Sequence, residues 1–371
     1  MSGTVMMFGI GSLGGWVLEF LARSPGINTI ITCDKKADWA LMKTECAAIG
    51  AGQEGYNKTI KFEQCDVNDI DATAELLKKY TPDLIYSAMT LLAVSEWRPT
   101  SVVIGPKFDK ALACLIPTQT VLISKLMKAR KKAGITAPVI NNSYPDAINP
   151  VLWRNGLGPW VGAGNLDIAV GEIRRKLSVK ESVPVSDVRV YLISGHAIVP
   201  QGTKTGLPFF FKATIGDKDI TSKHDVHSLI SDSLYRAGPA DKSGLLADPY
   251  IAASAVRNIK AILNDTNEFA HSPGPNGLPG GYPIRISATG IKIELPEGIT
   301  LEQAVRINLD GLKYDGVAEI KEDGTVVLTD EAYHTGKEMY GLDVLEFRFV
   351  DLDDIAKELV TAVRKLASKY R

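Results

Sequence analysis

Cysteine is scarce in this 371-residue chain, and neither sign of charge is in excess. The four cysteines (Cys33, Cys46, Cys65 and Cys114) fall in the first third and show no CxxC spacing. Neither a zinc site nor a disulfide framework is indicated, and they read as reduced thiols of a cytoplasmic protein. Lysine and arginine total 42 against 43 acidic residues, without the basic surplus of a dedicated nucleic-acid binder. No run approaches the ~18 consecutive apolar residues of a membrane span. The N-terminus lacks the basic start of a signal peptide, so no membrane partner is expected. Repeats and low-complexity tracts are also missing. What remains is a composition of 45% hydrophobic and 23% charged residues, ordinary for a globular protein. The length is comfortable for two domains.

Short apolar runs alternate with helical patterns through the first half. Val5–Ile10, Thr29–Cys33, Ile60–Gln64, Leu84–Ala88 and Pro138–Asn142 read as buried strands. Helices are expected near Gly15–Arg23, Trp39–Ile49, Ala72–Tyr80 and within Lys110–Ala133. This alternation predicts an α/β fold with a doubly wound parallel sheet over residues 1–150. Pro145–Pro159 reads as the passage into a second α+β substrate domain, residues 151–371. There, helices are expected at Ile168–Leu177, Lys223–Leu234 and Pro249–Asn264, and strands at Val188–Ser194, Phe209–Ile215, Ile284–Ser287, Ile291–Leu295 and Thr325–Leu328. A helix from about Leu352 closes the chain. Ser272–Pro283, rich in glycine and proline, reads as a long loop that closes on a site, shapes a subunit contact or merely crosses over.

The first strand pattern ends in Gly9-Ile10-Gly11-Ser12-Leu13-Gly14. A GxGxxG between a strand and a helix is the Rossmann phosphate-binding turn. Gly9 permits the tight turn, Gly11 lets the backbone approach a pyrophosphate, and Gly14 lets helix and strand pack. Ser12 and Leu13 open the helix whose N–H groups face the phosphates. Asp34 ends the second strand, where a carboxylate accepts from ribose hydroxyls and repels a 2′-phosphate. NAD is therefore expected over NADP, a preference softened by Lys35 and Lys36. Asp66 and Val67 follow the third strand, where an acidic residue often touches the adenine. Asp66 reads equally as a helix cap or turn aspartate.

His196 follows a strand and Asp167 opens a helix. A histidine of near-neutral pKa suits proton exchange with an alcohol or carbonyl, and a buried aspartate would fix its tautomer. Three segments carry a resemblance here: Asn142-Ser143-Tyr144-Pro145-Asp146, Gly164-Asn165-Leu166-Asp167, and Gly195-His196-Ala197 with Val199-Pro200. In order and spacing they resemble the lactate/malate dehydrogenase superfamily. The resemblance implies His196 as acid/base, Asp167 as its partner and Asn142 near the nicotinamide. It also implies a mobile loop after Ala88 and Met89, in which Arg98 polarises the substrate carbonyl. A homodimer or homotetramer is expected on the same ground.

This sequence departs from that pattern at three points. Val170 stands where the superfamily has the arginine that clamps the substrate carboxylate, Ala197 replaces a glycine, and the loop after Ala88 reads Met89-Thr90-Leu91-Leu92 in place of a glycine-rich opening. A simple 2-hydroxy acid held in the usual way is therefore not expected. Gln64–Asp69 and Thr81–Tyr86 are also similar to the nucleotide-binding halves of saccharopine dehydrogenase-like proteins. The expectation is an NAD-dependent oxidoreductase acting on a small polar alcohol, ketone, amine or imine. The alternatives are an epimerase or lyase holding NAD tightly, or a non-catalytic NAD-binding regulator.

Overall fold

The computed structural model describes residues 3–203, 205–232 and 247–369. The chain opens with β1 (Gly3–Phe8), α1 (Ser12–Ala22), β2 (Ile27–Asp34), α2 (Ala37–Gln53), β3 (Thr59–Gln64), α3 (Ile70–Tyr80) and β4 (Leu84–Ser87). Next come α4 (Val94–Ile104), α5 (Pro106–Asp109), α6 (Ile116–Ala133), β5 (Val139–Asn141), α7 (Pro145–Arg154) and β6 (Val161–Gly162). The six strands form one parallel sheet in the order β3-β2-β1-β4-β5-β6. The order reverses between β1 and β4, and doubly wound sheets bind ligands in the crevice at such a reversal.

The side-chain alternation of β1 shows why this sheet is buried on both faces. Met6 and Phe8 join a core with Leu126 of α6 and Leu359 and Val363 of the C-terminal helix Leu352–Ala367. Val5 and Met7 face the other way, toward Leu18 of α1 and Ile259 of the helix Asp248–Leu263. Segments from the second half of the chain thus cover both faces of the sheet. A third core lies between α8 (Leu166–Glu181) and β7 (Val188–Ile193), which pairs antiparallel with β8 (Phe210–Ile215).

Three segments take a form the sequence reading did not expect. First, Pro145–Pro159 is no linker. It contains the buried helix α7, started by Pro145 where a missing N–H does no harm, and β6 then extends the sheet beyond residue 150. Second, much of the segment expected as a loop after Met89 is helix α4, whose start is closed by Glu96 accepting from the Ala93 N–H at 2.9 Å.

Third, Ser272–Pro283 is a mostly buried hairpin, its ends paired within strands Glu268–Pro273 and Gly281–Ser287 and its tip at Asn276 exposed. Its glycines make the close packing possible. A Cβ at Gly274 (φ +61°) would lie 2.4 Å from the Pro145 carbonyl, and one at Gly280 (φ +72°) 2.1 Å from Asn308 Oδ1. The Gly280 N–H donates to the Asp146 carbonyl at 3.0 Å, so the hairpin braces the start of α7. The helix predicted over 223–234 is present as Val226–Ser231, and residues 233–234 lie outside the described residues.

Helices Leu301–Leu312 and Asp330–Tyr340 were not anticipated. Both carry a local signal. Thr300 and Gln303 form a reciprocal capping box, and Thr329 accepts from the Ala332 N–H.

Candidate active site

The glycine turn sits at the C-terminal end of β1, beside the end of β4. Gly9 adopts φ +89°, and a Cβ there would lie 3.0 Å from the Ala88 carbonyl group and Met89. A Cβ on Gly14 would lie only 1.9 Å from the Gly9 oxygen, so the turn closes only with glycine there. At Gly11 a Cβ would meet nothing within 4 Å, and the space in front of the turn is open. Helix α1, which Ser12 and Leu13 open, has no acidic residue in its first turn and no side-chain cap. Its first N–H groups therefore present partial positive charge, as a pyrophosphate requires. Lys43 adds a cation, donating to the Gly11 carbonyl at 2.6 Å.

Asp34 ends β2 and braces the turn: Oδ2 accepts from the Ile10 N–H at 2.8 Å and Oδ1 from the Lys36 N–H at 2.9 Å. Each oxygen keeps a further lone pair. Asp66 is exposed and accepts from the backbone and side chain of Asn68, while the cap of α3 is Asp69, accepting from the Ala72 N–H. Val67 is buried. Asn142, just past β5, donates its N–H to the Ser87 carbonyl, and its Oδ1 accepts from the Tyr86 hydroxyl at 3.3 Å. The Ser143 hydroxyl donates to the Met89 carbonyl, joining the ends of β4 and β5. Every residue expected to hold a dinucleotide thus lies along the C-terminal edge of one sheet. This glycine cradle and its open face fit a dinucleotide.

The histidine has a different partner from the one expected. His196 Nδ1 lies 2.9 Å from Asp315 Oδ1, and Asp315 sits in the single turn Lys313–Asp315 that follows the helix Leu301–Leu312. Asp167 is engaged elsewhere: its Oδ1 accepts from Arg257 Nη1 at 3.0 Å. Arg257 also donates to Asn258 Oδ1 and to the His271 carbonyl. Asp167 is the expected partner because the resemblance to the lactate/malate dehydrogenase superfamily implies it. Nothing local marks Asp315, which lies 119 residues from its histidine.

His196 stands over the end of β5. The Tyr144 ring meets it edge-on, with centroids 5.2 Å apart. Tyr144 (φ +36°) and Asn165 (φ +51°) both hold left-handed backbone, an unfavourable state for non-glycine residues that clusters at functional sites. Asn165 donates to Asp146 Oδ2, tying the end of β6 to the start of α7.

Burial alone would pull the His196 imidazole down. The charge and hydrogen bond of Asp315, with the charges of Asp146 and Asp109, lift it instead to about 9. Burial pushes Asp146 up to about 6 against the opposing pull of His196 and Asn165. Burial likewise holds Asp109 above the usual carboxylate range, opposed by the positive charges of His196 and Arg98. Arg98, on α4, therefore belongs to the same electrostatic neighbourhood as the histidine. The site combines an imidazole, an arginine, three carboxyl groups and the Tyr144 hydroxyl. Sequence reading singled out His196 and Arg98 and did not single out Asp315 or Asp109, which lie in the same neighbourhood. Asp146 had entered it only as part of a motif.

At the sequence level no protein-family model and no curated protein matches the chain. Solved structures do. A malate dehydrogenase from Aeropyrum pernix is similar at a TM-score of 0.59 and 15% identity, over 84% of this chain and 97% of that one. The malate dehydrogenase from Picrophilus torridus gives 0.59 and 16%, over 85% and 96%. A minor L-lactate dehydrogenase from Enterococcus mundtii gives 0.54 and 17%, over 83% and 95%. The chain has a divergent lactate/malate dehydrogenase-like fold, a Rossmann sheet followed by a second α+β part. Among the described residues no helix is long and apolar enough to cross a membrane.

Proposed function

We propose that this chain is a nicotinamide-dependent oxidoreductase acting on a small polar substrate, with His196 as the proton donor and acceptor. The observation that carries the reading is the His196–Asp315 pair, standing against Tyr144 at the same sheet edge as the glycine turn. Gly9, Gly11, Ser12, Leu13 and Gly14 would hold the pyrophosphate and Asp34 the adenosine ribose. Asp66 and Val67 would lie toward the adenine, and Ala88, Met89 and Asn142 toward the nicotinamide. The carboxylate of Asp34 favours NAD over NADP. When bound, the nicotinamide supplies or accepts the hydride.

The protein's own part is the proton. Asp315 accepts at Nδ1, which fixes the ring and leaves Nε2 to face the substrate. With a pKa near 9, His196 is protonated at neutral pH and ready to donate to an oxygen or nitrogen that gains charge on reduction. Oxidation needs the neutral imidazole, so that direction is favoured by alkaline conditions. Arg98 would assist by polarising the substrate. Trp16, Trp39 and Met42 stand exposed on α1 and α2 and supply an apolar face for a homodimer or homotetramer.

The test is a panel of hydroxy acids, polyols, sugar acids and amino acids, read by NADH absorbance, with His196→Gln beside the native chain. Turnover should fall by about 10²–10⁴ in the variant while NADH affinity holds. A variant as active as the native chain removes His196 from the chemistry.

A further inference from the structure

We propose that the site around His196, whose side chain is 18% exposed, takes a positively charged small molecule, an amine whose nitrogen lies near the carboxylates of Asp315, Asp146 and Asp109. This rests on the reading of His196 as the residue that faces substrate.

The first observation is the loss of an anion clamp. Val170, at the position of the expected carboxylate-binding arginine, is a buried core residue packed with Leu166 and Ile173. Two neighbouring arginines are committed to the protein itself. Arg174 donates to the carbonyls of Val188 and Val185, and Arg257 is bound to Asp167 and the His271 carbonyl.

The second observation is the state of the carboxylates. Asp315 uses Oδ1 on His196; its Oδ2, on a side chain 1% exposed, makes no well-formed hydrogen bond and has the neutral Tyr144 hydroxyl beside it, with no cation bound to it among the described residues. Asp146 is wholly buried; its Oδ2 accepts from Asn165 and its Oδ1 is likewise without a partner. Buried acceptors without donors are costly, and a charged one more so. A primary ammonium brings three N–H donors and one positive charge, which meets both deficits at once.

The third is the local charge. The carboxylates of Asp315, Asp146 and Asp109 all act on the His196 ring. An anionic substrate would approach these same carboxylates. A cationic one would complement them, and electrostatic complementarity of this kind selects between otherwise similar ligands.

Three probes on one carbon frame separate charge from shape: L-alaninol is a cation, 1,2-propanediol is neutral and L-lactate is an anion. Each is titrated into the full chain with NADH present, following the ring resonances of carbon-13-labelled histidine, with His196 assigned by loss of its signal in His196→Gln. Alaninol should perturb His196 with a dissociation constant at least about tenfold below that of lactate, propanediol falling between. Asp146→Asn, or Asp109→Asn if the first variant fails to fold, should narrow that gap. Lactate binding as tightly as alaninol, or a gap unmoved by both variants, overturns the charge assignment and leaves His196 as the residue facing substrate. If NADH binds and none of the three probes moves His196, the proposal falls together with the reading of His196.

Discussion

His196 Nδ1 and Asp315 Oδ1 stand 2.9 Å apart across 119 residues of chain, with the aspartate almost wholly buried. An ion pair in that setting binds its proton far more tightly than a free histidine would. The pair joins the strand-end segment that carries His196 to the turn after the helix Leu301–Leu312.

Asp315→Asn should lower the His196 pKa from about 9 by well over one unit, since burial then acts against weaker opposition. Histidine ring resonances followed through a pH titration would show it. In activity, the alkaline limb of the reductive reaction should move down by the same amount. An unmoved titration would mean that Asp315 does not set the proton affinity.

The same pair makes stability pH-dependent. The folded pKa of about 9 lies above the ordinary 6.5, so the native state binds the proton more tightly than the unfolded chain. The contribution is complete below pH 6.5 and is lost as pH rises through about 9. Denaturant unfolding across that window should show a decline of about 2–3 kcal/mol. In Asp315→Asn the decline should shrink in proportion to the fall in the His196 pKa.

Asp167 and Arg257 form a structural pair, so breaking it should affect stability and leave the His196 titration in place. Arg257→Met leaves the Asp167 carboxylate in a side chain only 8% exposed. A loss of about 1–3 kcal/mol is expected, read by denaturant unfolding. A shift in the His196 titration in this variant would return Asp167 to the role the sequence suggested.

Two glycines of the phosphate turn should fail differently. Gly14→Ala puts a Cβ 1.9 Å from the Gly9 oxygen and should destabilise the fold itself, by about 1–3 kcal/mol. Gly11→Ala meets nothing within 4 Å and has ordinary negative φ, so unfolding should be unchanged. The methyl group would instead occupy space a pyrophosphate needs, weakening NADH binding by about tenfold or more. NADH fluorescence titration together with thermal unfolding separates the two outcomes. Equal NADH affinity in Gly11→Ala would place the cofactor elsewhere.

What the sequence determined by itself is the part written in short-range patterns. The strands of the sheet announce themselves as apolar runs, and the turn from Gly9 to Gly14 follows from steric limits acting over six residues. His196 was legible because a local motif surrounds it. Even the unanticipated helix Leu301–Leu312 carried its own signal in Thr300 and Gln303.

The tertiary structure decided what touches what at long range. It gave His196 the carboxylate of Asp315 and gave Asp167 the guanidinium of Arg257, 90 residues away. It turned a glycine- and proline-rich stretch into a mostly buried hairpin, because glycine marks close backbone approach as readily as it marks a loop. Local spacing cannot encode these pairings, since burial and charge are properties of the assembled core. His196 follows its strand as the sequence suggested, but the carboxylate at its Nδ1 comes from the fold.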